Sequence, residues 1–285
     1  MTKKKLLLVD GNSVAFRAFF ALHNSLERFK NKNGLHTNAI YAFNNMFENV
    51  MQKEMPTHVL VAFDAGKTTF RTEFYSEYKA GRSKTPGEFK EQMPYIRELL
   101  EGLGVKYYEL PNYEADDIIG TLANKVDKDE FDVVVLSGDR DLTQLATDTV
   151  KVDITVKGVS DIESYTPEHI AEKYDGLTPK QIIDMKGLAG DTSDNIPGVT
   201  KIGEKTAIKL LKQYGSVEGV YENIDEMKKS KMKENLINDK EQAFLSKRLA
   251  TIEVNAPVEV NVEDLAYEGK NLEKLVPFYK EMDFK

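Results

Sequence analysis

Short apolar runs recur along the first part of the chain, and each is followed by polar or acidic residues. Continuous apolar runs of this kind are typical of strands that are buried on both faces of a sheet. The predicted strands are Lys5–Val9, Thr57–Phe63, Val105–Tyr108, Asp132–Leu136 and Val150–Val156, the last being a candidate edge strand.

Segments with apolar residues at helical spacing lie between these strands. Helices are predicted to begin near Ser13, to cover Ala39–Met51, Met93–Leu103 and Asn271–Met282, and to begin at the cap-and-proline pairs Thr166–Pro167 and Thr178–Pro179. This alternation predicts an α/β fold with a mainly parallel central sheet flanked by helices. The chain then becomes mainly helical, so we expect an α/β core at residues 1–175 and a helical subdomain at 176–285.

Acidic residues are concentrated at the predicted strand ends and helix starts. Glu114, Asp116 and Asp117 directly precede a helical apolar pattern, and Asp139 and Asp141 follow a predicted strand. Like charges packed this closely repel one another unless a cation compensates, and carboxylate oxygens favour magnesium or manganese. A solvated helix cap beside an ordinary turn would explain either cluster alone. The whole set is Asp10, Asp64, Glu114, Asp116, Asp117, Asp139, Asp141, Asp191 and Asp194.

The composition excludes several kinds of functional site. The 285 residues include no Cys, which excludes disulfides, thiolate metal sites and Cys nucleophiles, and the four His are too scattered for a zinc site. The basic start is followed by an apolar run of only Leu6–Val9, which is too short for export or for spanning a membrane. We therefore expect a cytoplasmic protein without a membrane partner.

The net charge is −8, yet basic residues are concentrated in two stretches. Residues 67–84 carry five basic against two acidic side chains, and residues 198–213 carry four against one, so each stretch has a local charge of +3. The first stretch lies within segment 65–90, where aromatic residues are interleaved with Lys and Arg. This composition suits single-stranded nucleic acid, which stacks and carries phosphate. The alternative is an exposed amphipathic helix.

A glycine hairpin between Gly198 and Gly203 opens a predicted helix. It nearly matches a phosphate-binding P-loop, but Glu204 stands where Lys is required and no strand precedes it. A helix-hairpin-helix over residues 187–213 fits better, because glycines let the backbone approach a DNA phosphate and a helix N-terminus presents N–H groups to it. The alternative is a plain packing corner between two helices.

These motifs resemble those of the 5′-nuclease family, which includes flap endonucleases, and within it the N-terminal 5′→3′ exonuclease domains of bacterial DNA polymerase I. The matching stretches are Leu8–Ser13, Phe63–Asp64, Tyr78–Arg82, Glu114–Asp117, Ser137–Asp141 and Gly190–Ala207. They span nearly the whole chain in family order. The resemblance implies a PIN-like 5′-nuclease fold with a helical arch at residues 65–90. It also implies 5′→3′ exonuclease and 5′-flap endonuclease activity on DNA, as in primer removal and repair.

The resemblance further implies two magnesium ions, for which manganese can substitute. Asp10, Asp64, Glu114, Asp116 and Asp117 would surround the first ion, and Asp139, Asp141, Asp191 and Asp194 the second, with Asp116 a candidate for sharing. Two such ions can activate a water and stabilise the leaving oxygen of an in-line displacement.

Lys79 and Arg82 are the catalytic candidates that the resemblance implies, because they would meet the scissile phosphate. The candidate DNA contacts are Phe16, Arg17, Arg71, Gly198, Lys201, Gly203 and Lys205. Phe16 would stack on a base near the cut, and the hairpin is a candidate potassium site. The end of the chain, Phe278–Lys285, resembles the boundary at which a polymerase domain continues. We therefore expect a monomeric fragment that acts on DNA with a 5′ flap or a 5′ end.

Three other classes of protein share parts of this pattern. A haloacid dehalogenase phosphatase also has Asp after its first strand, but it needs a second Asp two residues later, where this chain has Asn12. A PIN-like ribonuclease would need neither the arch nor the hairpin. A non-catalytic DNA-binding module would leave the acidic set unexplained.

Overall fold

One central sheet of six strands organises the molecule, in the order β3-β2-β1-β4-β5-β6. The structure is a computed structural model that describes residues 2–284. The strands are β1 (Lys4–Asp10), β2 (His58–Phe63), β3 (Lys106–Glu109), β4 (Phe131–Ser137), β5 (Val150–Lys157) and β6 (Asp161–Tyr165). Strands β1 to β5 pair in parallel, and β6 pairs antiparallel to β5. The predicted α/β fold with a mainly parallel sheet is confirmed.

Strand β5 is an interior strand, so the prediction that it forms an edge is wrong. The edge is β6, whose sequence Asp-Ile-Glu-Ser-Tyr has only one buried residue, Tyr165. So short and polar a segment gives no clear alternation of apolar and polar positions. Its position is determined by pairing with β5.

The described residues form thirteen α-helices. They are α1 (Gly11–Ala21), α2 (Asn38–Glu54), α3 (Phe70–Phe74), α4 (Gly87–Lys90), α5 (Met93–Leu103), α6 (Ala115–Lys125), α7 (Pro167–Lys173), α8 (Gln181–Ala189), α9 (Glu204–Tyr214), α10 (Val217–Glu222), α11 (Lys231–Asn238), α12 (Lys240–Ala250) and α13 (Leu272–Glu281). Helix α1 begins at Gly11, earlier than predicted, because Asp10 rather than Ser13 is its cap. The start of α7 after Thr166 is as predicted, whereas α8 begins only at Gln181.

The central strand β1 serves two cores, one on each face of the sheet. Successive side chains of a strand point to opposite faces, and here Leu6 and Leu8 join one buried cluster whereas Leu7 and Val9 join the other. All four side chains are completely buried. The first cluster extends through α6 into the helical part of the chain, and the second includes residues of α1, α2 and α5.

Segment 65–90 contains the short helices α3 and α4 rather than one continuous helix. Its aromatic side chains do not all face solvent. Tyr78 is buried against Ile196 and Leu249, and Phe74 and Tyr75 pack around the same cluster. The segment therefore packs against α12 and the loop that contains Ile196, in the helical part of the chain.

The chain returns to the α/β core after α12. Tyr267 donates its backbone N–H to the carbonyl oxygen of Thr57 at 2.8 Å. Leu275 and Phe278 of α13 belong to the same buried cluster as Leu7 of β1. We therefore propose that residues 251–284 belong with the α/β core, rather than with a helical subdomain that spans 176–285.

The last helix, α13, ends at Glu281. The predicted polymerase-like boundary at Phe278–Lys285 includes Lys285, which lies outside the described residues. Within residues 2–284, no helix combines the length and the apolar character that a membrane crossing requires.

Candidate metal centre

Three predicted acids lie at the carboxyl edge of the parallel sheet. Asp10 ends β1, Asp64 follows β2, and Asp139 follows β4, and these three strands are neighbours. The carboxyl ends of parallel strands are where ligands bind in open α/β sheets. The sheet order therefore brings together acids that are far apart in the sequence.

Hydrogen bonds fix the first two of these acids. Asp10 is buried, and its Oδ2 atom accepts a hydrogen bond from the Ser137 hydroxyl at 2.8 Å. The Oδ1 atom of Asp64 accepts from the backbone N–H of Ala115 at 2.7 Å, which ties the end of β2 to the first turn of α6. Burial and the charge of Asp10 raise the pKa of Asp64 to about 6.

Asp116 and Asp139 face the same space. Burial raises the pKa of Asp139 to about 8, and the neighbouring charge of Asp141 adds to the effect. Burial and the charges of Asp10 and Asp139 raise the pKa of Asp116 well above its ordinary value. These carboxylates are crowded without enough positive charge, which is the condition that a bound cation relieves.

A second group of acids lies beside the first. Carboxylate oxygens of Asp141, Asp191 and Asp194 lie within 4.8 Å of one another. The Oδ1 atom of Asp141 is buried, and its 3.0 Å ion pair with the Lys186 ammonium lies outside regular hydrogen-bond geometry. Three carboxylates that share a single nearby ammonium group fit a divalent cation with oxygen ligands.

Lys186 is a site residue that the sequence analysis missed. Its ammonium group lies between Asp141 and Asp191, at 3.0 and 2.9 Å. Burial lowers the pKa of Lys186, but the charge of Asp141 and the contact with Asp191 outweigh burial and raise it. The available signal was a lone basic residue in α8, five positions before Asp191.

Glu114 is shared between two cations. Its Oε2 atom accepts a 2.5 Å hydrogen bond from Arg71, and its Oε1 atom pairs with Lys79. Burial lowers the pKa of Lys79, but the surrounding carboxylates, Glu114 foremost, outweigh burial and raise it. Arg82 makes the equivalent pair with buried Asp194. Lys79 and Arg82 therefore lie at the acidic pocket, as their predicted role requires.

Two predicted roles are contradicted by burial. Asp117, predicted as a metal ligand, is completely buried, and its two oxygens accept hydrogen bonds from Arg71, both at 2.9 Å. The same carboxylate accepts backbone N–H groups of Glu114 and Glu253 at 3.1 and 2.9 Å. Arg71, predicted to contact DNA, is only 2% exposed and also donates to the carbonyls of Leu249 and Thr251. This pair is structural, since neither side chain has room for a further ligand.

The predicted DNA contacts near the acids are accessible. Phe16 lies on α1 with 43% of its surface exposed, in edge-to-face contact with Phe20 and Phe89. Arg17 makes only long hydrogen bonds, to the carbonyl oxygens of Val156 and Gly138 at 3.4 and 3.5 Å. Its guanidinium group therefore has donors left for a phosphate.

Of the DNA contacts predicted at the hairpin, three are exposed and one is buried. Lys201, Gly203 and Lys205 are exposed, and a Cβ atom at Gly203 would meet nothing within 4 Å. Gly198, by contrast, is buried, and a Cβ atom there would overlap the backbone of Gly190. The prediction that Gly198 contacts DNA is therefore wrong, because this glycine is needed for close packing of the backbone.

Asn12 occupies the position where a haloacid dehalogenase phosphatase needs a second Asp. Asn12 accepts a hydrogen bond on its Oδ1 atom from the backbone N–H of Asp64 at 2.7 Å. It aligns the end of β2 with the start of α1. The second Asp of a haloacid dehalogenase phosphatase is therefore replaced by an amide that holds the backbone of Asp64.

Comparison with known families identifies two matches that together cover most of the chain. The model described as "5′-3′ exonuclease, N-terminal resolvase-like domain" matches residues 5–175. The model described as "5′-3′ exonuclease, C-terminal SAM fold" matches residues 177–273.

Curated relatives and solved structures agree with these matches. The chain is 62% identical over 285 residues to DNA polymerase I of Streptococcus pneumoniae R6, and 59% identical over 282 residues to that of Bacillus subtilis. It aligns over 100% and 99% of its own length, but it spans only about a third of these relatives, 32% of each. The T5 D15 protein co-crystallised with metal ions has a TM-score of 0.74 at 23% identity over 98% of both chains. The catalytic core of Rad2 in complex with DNA substrate has a TM-score of 0.59 at 17% identity, over 98% of this chain and 88% of that one. At these identities, the two structures are similar in fold.

Proposed function

Because the chain belongs to the 5′-3′ exonuclease family, we propose that it is a divalent-metal-dependent nuclease that hydrolyses DNA at a 5′ end or a 5′ flap. The observation that carries the proposal is the convergence of acids from strand ends β1, β2 and β4 with the Asp141, Asp191 and Asp194 cluster. So many carboxylates would weaken a surface that only binds DNA, because they repel phosphate.

The donor set fits two magnesium ions, with manganese as a substitute. All candidate ligands are carboxylate oxygens, which hard divalent cations prefer. Asp10, Asp64, Glu114 and Asp116 would hold one ion, and Asp139, Asp141, Asp191 and Asp194 the other. When bound, such ions lower the pKa of water and stabilise charge on the leaving oxygen.

Three basic side chains offset part of the negative charge of the candidate metal ligands. If the eight candidate ligands are all ionised, Lys79, Arg82 and Lys186 leave five negative charges unbalanced, and two divalent ions would leave one. A phosphodiester can then approach. Lys79 and Arg82, which lie on the side of segment 65–90, would orient the scissile phosphate and stabilise the charge that develops on it.

Other residues support these side chains without touching the reacting atoms. The Arg71–Asp117 pair fixes the N-terminus of α6, where Glu114 is the cap and Asp116 lies in the first turn. The Ser137 hydroxyl holds Asp10 in place. The exposed ring of Phe16 would stack on a base next to the cut.

The hairpin would hold the duplex part of the substrate. Gly203 is exposed and leaves room for a phosphate beside the N-terminus of α9, while Lys201 and Lys205 add positive charge. A potassium ion at the hairpin would add to this grip. Such contacts reach phosphates and not base edges, so they carry no sequence preference.

The relatives are about three times as long as this chain, which indicates the polypeptide in which it works. Since the chain spans about a third of the DNA polymerase I sequences that it matches, we propose that it works in one polypeptide with a polymerase. We also propose that it acts as a monomer in the bacterial cytoplasm, at the nucleoid.

A single assay tests the activity. Duplex DNA with a labelled 5′ flap, the same duplex with a labelled 3′ flap, and a 5′-flap RNA duplex are each incubated with the chain in Mg²⁺ and in EDTA. The expected result is cleavage of the 5′-flap DNA only in Mg²⁺. Cleavage in EDTA, or equal cleavage of the 3′ flap or of RNA, would contradict the proposal.

A further inference from the structure

Four polar side chains from α11, α12 and the residue between them contact the backbone of the hairpin. We name Asn235, Asp239, Gln242 and Ser246 the hairpin frame, because each of these side chains makes a hydrogen bond to the hairpin backbone. None of them is fully exposed, and Ser246 is completely buried. Polar side chains turned inward need partners, and the hairpin backbone supplies them.

The frame contacts two hairpin residues in reciprocal fashion. Gly198 donates its N–H to the Ser246 hydroxyl at 2.8 Å and accepts from the Gln242 amide at 2.7 Å. Thr200 donates its N–H to Asp239 at 2.8 Å and accepts from the Asn235 amide at 3.2 Å. The donor and the acceptor of both residues are therefore satisfied by side chains from outside the hairpin. A backbone segment without regular secondary structure is fixed in one conformation by these four bonds.

Gly198 also closes the loop that carries two candidate metal ligands. Residues 190–198 form this acid loop, and Asp191 and Ile196 exchange backbone hydrogen bonds of 2.9 and 2.8 Å across it. Gly190 and Gly198 lie at its base, both with positive φ; a Cβ atom at Gly190 would overlap the backbone of Ile196 and Pro197, and one at Gly198 would overlap the backbone of Gly190. The acid loop and the hairpin thus share one residue, and the frame holds that residue.

This arrangement connects two parts of the proposed function. The hairpin would hold the duplex, and Asp191 and Asp194 of the acid loop would hold a metal ion. We propose that the hairpin frame fixes the distance between the held duplex and the cut, and so determines at which phosphodiester the strand is cleaved. The inference rests on the proposed nuclease function and concerns the position of cleavage, which catalysis by itself does not specify.

Gln242→Met tests the inference with the smallest change of shape. Methionine has the length of glutamine but no N–H donor, so Gly198 loses one hydrogen bond while the helix is kept. Loss of one such bond is expected to weaken duplex binding about two- to tenfold. The cleavage products of a 5′-flap substrate, resolved at single-nucleotide length, should spread from one position to its neighbours.

Asn235→Leu provides a second variant, which releases Thr200 rather than Gly198. Asn238→Leu is the matched control, because Asn238 lies on the same helix α11 but is exposed. The control should cut at the wild-type position with wild-type duplex affinity. Melting temperatures identify any variant that has unfolded. Cleavage positions and duplex affinities are compared only among variants that are folded.

The outcomes separate the two proposals. If the wild-type chain cuts at one position and both folded frame variants cut only there, the frame does not determine the position and the inference is overturned. If the wild-type chain neither cuts the flap nor binds the duplex, the proposed function fails and the inference fails with it. A spread of products in both frame variants, absent from the control, supports the inference.

Discussion

The ammonium group of Lys79 is paired with the carboxylate of Glu114, and its backbone N–H donates to the carbonyl oxygen of Asp194 at 2.8 Å. Lys79 therefore touches one residue from each acidic group. It also has a positive φ of 60°, which is unusual for a residue with a side chain. A backbone conformation of this kind at the acidic pocket fits a residue whose position matters for the reaction.

Lys79→Ala should slow cleavage far more than it weakens DNA binding. The lysine places a cation where charge develops on the phosphate, and removal of such a group costs roughly 100-fold or more in rate. Single-turnover cleavage of a 5′-flap substrate gives the rate, and fluorescence anisotropy gives the affinity. Lys128→Ala, which removes an exposed lysine outside both basic stretches, should leave both unchanged. Equal losses of rate and affinity in Lys79→Ala would refute the assignment.

Asp139→Asn combined with Asp141→Asn should abolish flap cleavage in Mg²⁺ and leave DNA binding in Ca²⁺ intact or tighter. The variant loses two ligands of one ion and two charges that repel phosphate. Mg²⁺ should also raise the melting temperature of the wild-type protein, because the ion binds the native state preferentially, and this increase should shrink in the variant.

The control for this double variant is Asp225→Asn combined with Glu226→Gln, a pair of exposed acids. It should cut at the wild-type rate and keep the full thermal shift in Mg²⁺. A rate for Asp139→Asn with Asp141→Asn within tenfold of wild type would mean that this metal site is misassigned.

Arg71→Met should destabilise the fold by about 3–5 kcal/mol, because it leaves the completely buried Asp117 without its partner. Urea unfolding monitored by circular dichroism measures the change. Arg28→Met, at an exposed arginine, should change stability by less than about 0.5 kcal/mol. A stable Arg71→Met protein with weakened DNA binding would restore the predicted DNA contact.

Gly203→Val should fold normally and bind duplex DNA more weakly. A Cβ atom at this glycine meets no atom within 4 Å, and its φ of −95° is open to any residue. The only cost is therefore to the approach of a phosphate, and Gly203→Ala should show a smaller loss. Anisotropy with two duplexes of unrelated sequence should give the same loss for both. A sequence-dependent loss would indicate base contacts instead.

Glu163→Gln should lower stability at pH 7 and have less effect as the pH falls. Burial raises the pKa of Glu163, but hydrogen bonds from His169, Lys173 and Tyr165 outweigh it and hold the pKa at about 2. A lowered folded-state pKa stabilises the fold above the unfolded value, 4.5, and the contribution is lost as the pH falls from there towards 2.

The effect of Glu163→Gln should stay near 1 kcal/mol or below, since the Glu163 side chain is 27% exposed. Melting temperatures of variant and wild type between pH 7 and pH 3 should therefore converge. Glu168→Gln, at an exposed glutamate nearby, is the control and should show no such trend. A difference that grows towards pH 3 would contradict the assignment.

The strand-end acids could be predicted because two general rules fix them. Apolar runs identify buried strands, and parallel strands put their carboxyl ends at one edge of the sheet. These rules bring Asp10, Asp64 and Asp139 together with no knowledge of side-chain contacts. The same rules apply to any chain with this alternation, so the general location of the site follows from the pattern alone.

Arg71 and Asp117 show where sequence patterns fail. The two residues are 46 positions apart, and the carbonyl groups that complete the arginine's shell come from residues 178 and 180 positions beyond it. Such burial depends on how α12 packs on segment 65–90, which no local spacing encodes. Lys186 was missed for the same reason, because a lysine in a helix is normally solvated. Local patterns therefore identified charged residues correctly but not which of them are buried.

The place of β1 in the sheet has a consequence for how the protein is made. Strand β1 precedes the other five strands in chain order, and Asp10 lies 127 residues before Ser137, whose hydroxyl holds it in place. Until β4 leaves the ribosome, the edge of β1 that pairs with β4 stays open in the nascent chain, and its centre, Leu6–Val9, is apolar. Contacts this distant in sequence form slowly, and exposed apolar strands promote aggregation. We expect a ribosome-bound chain that stops before residue 131 to require a chaperone, and the acidic pocket to form late during synthesis.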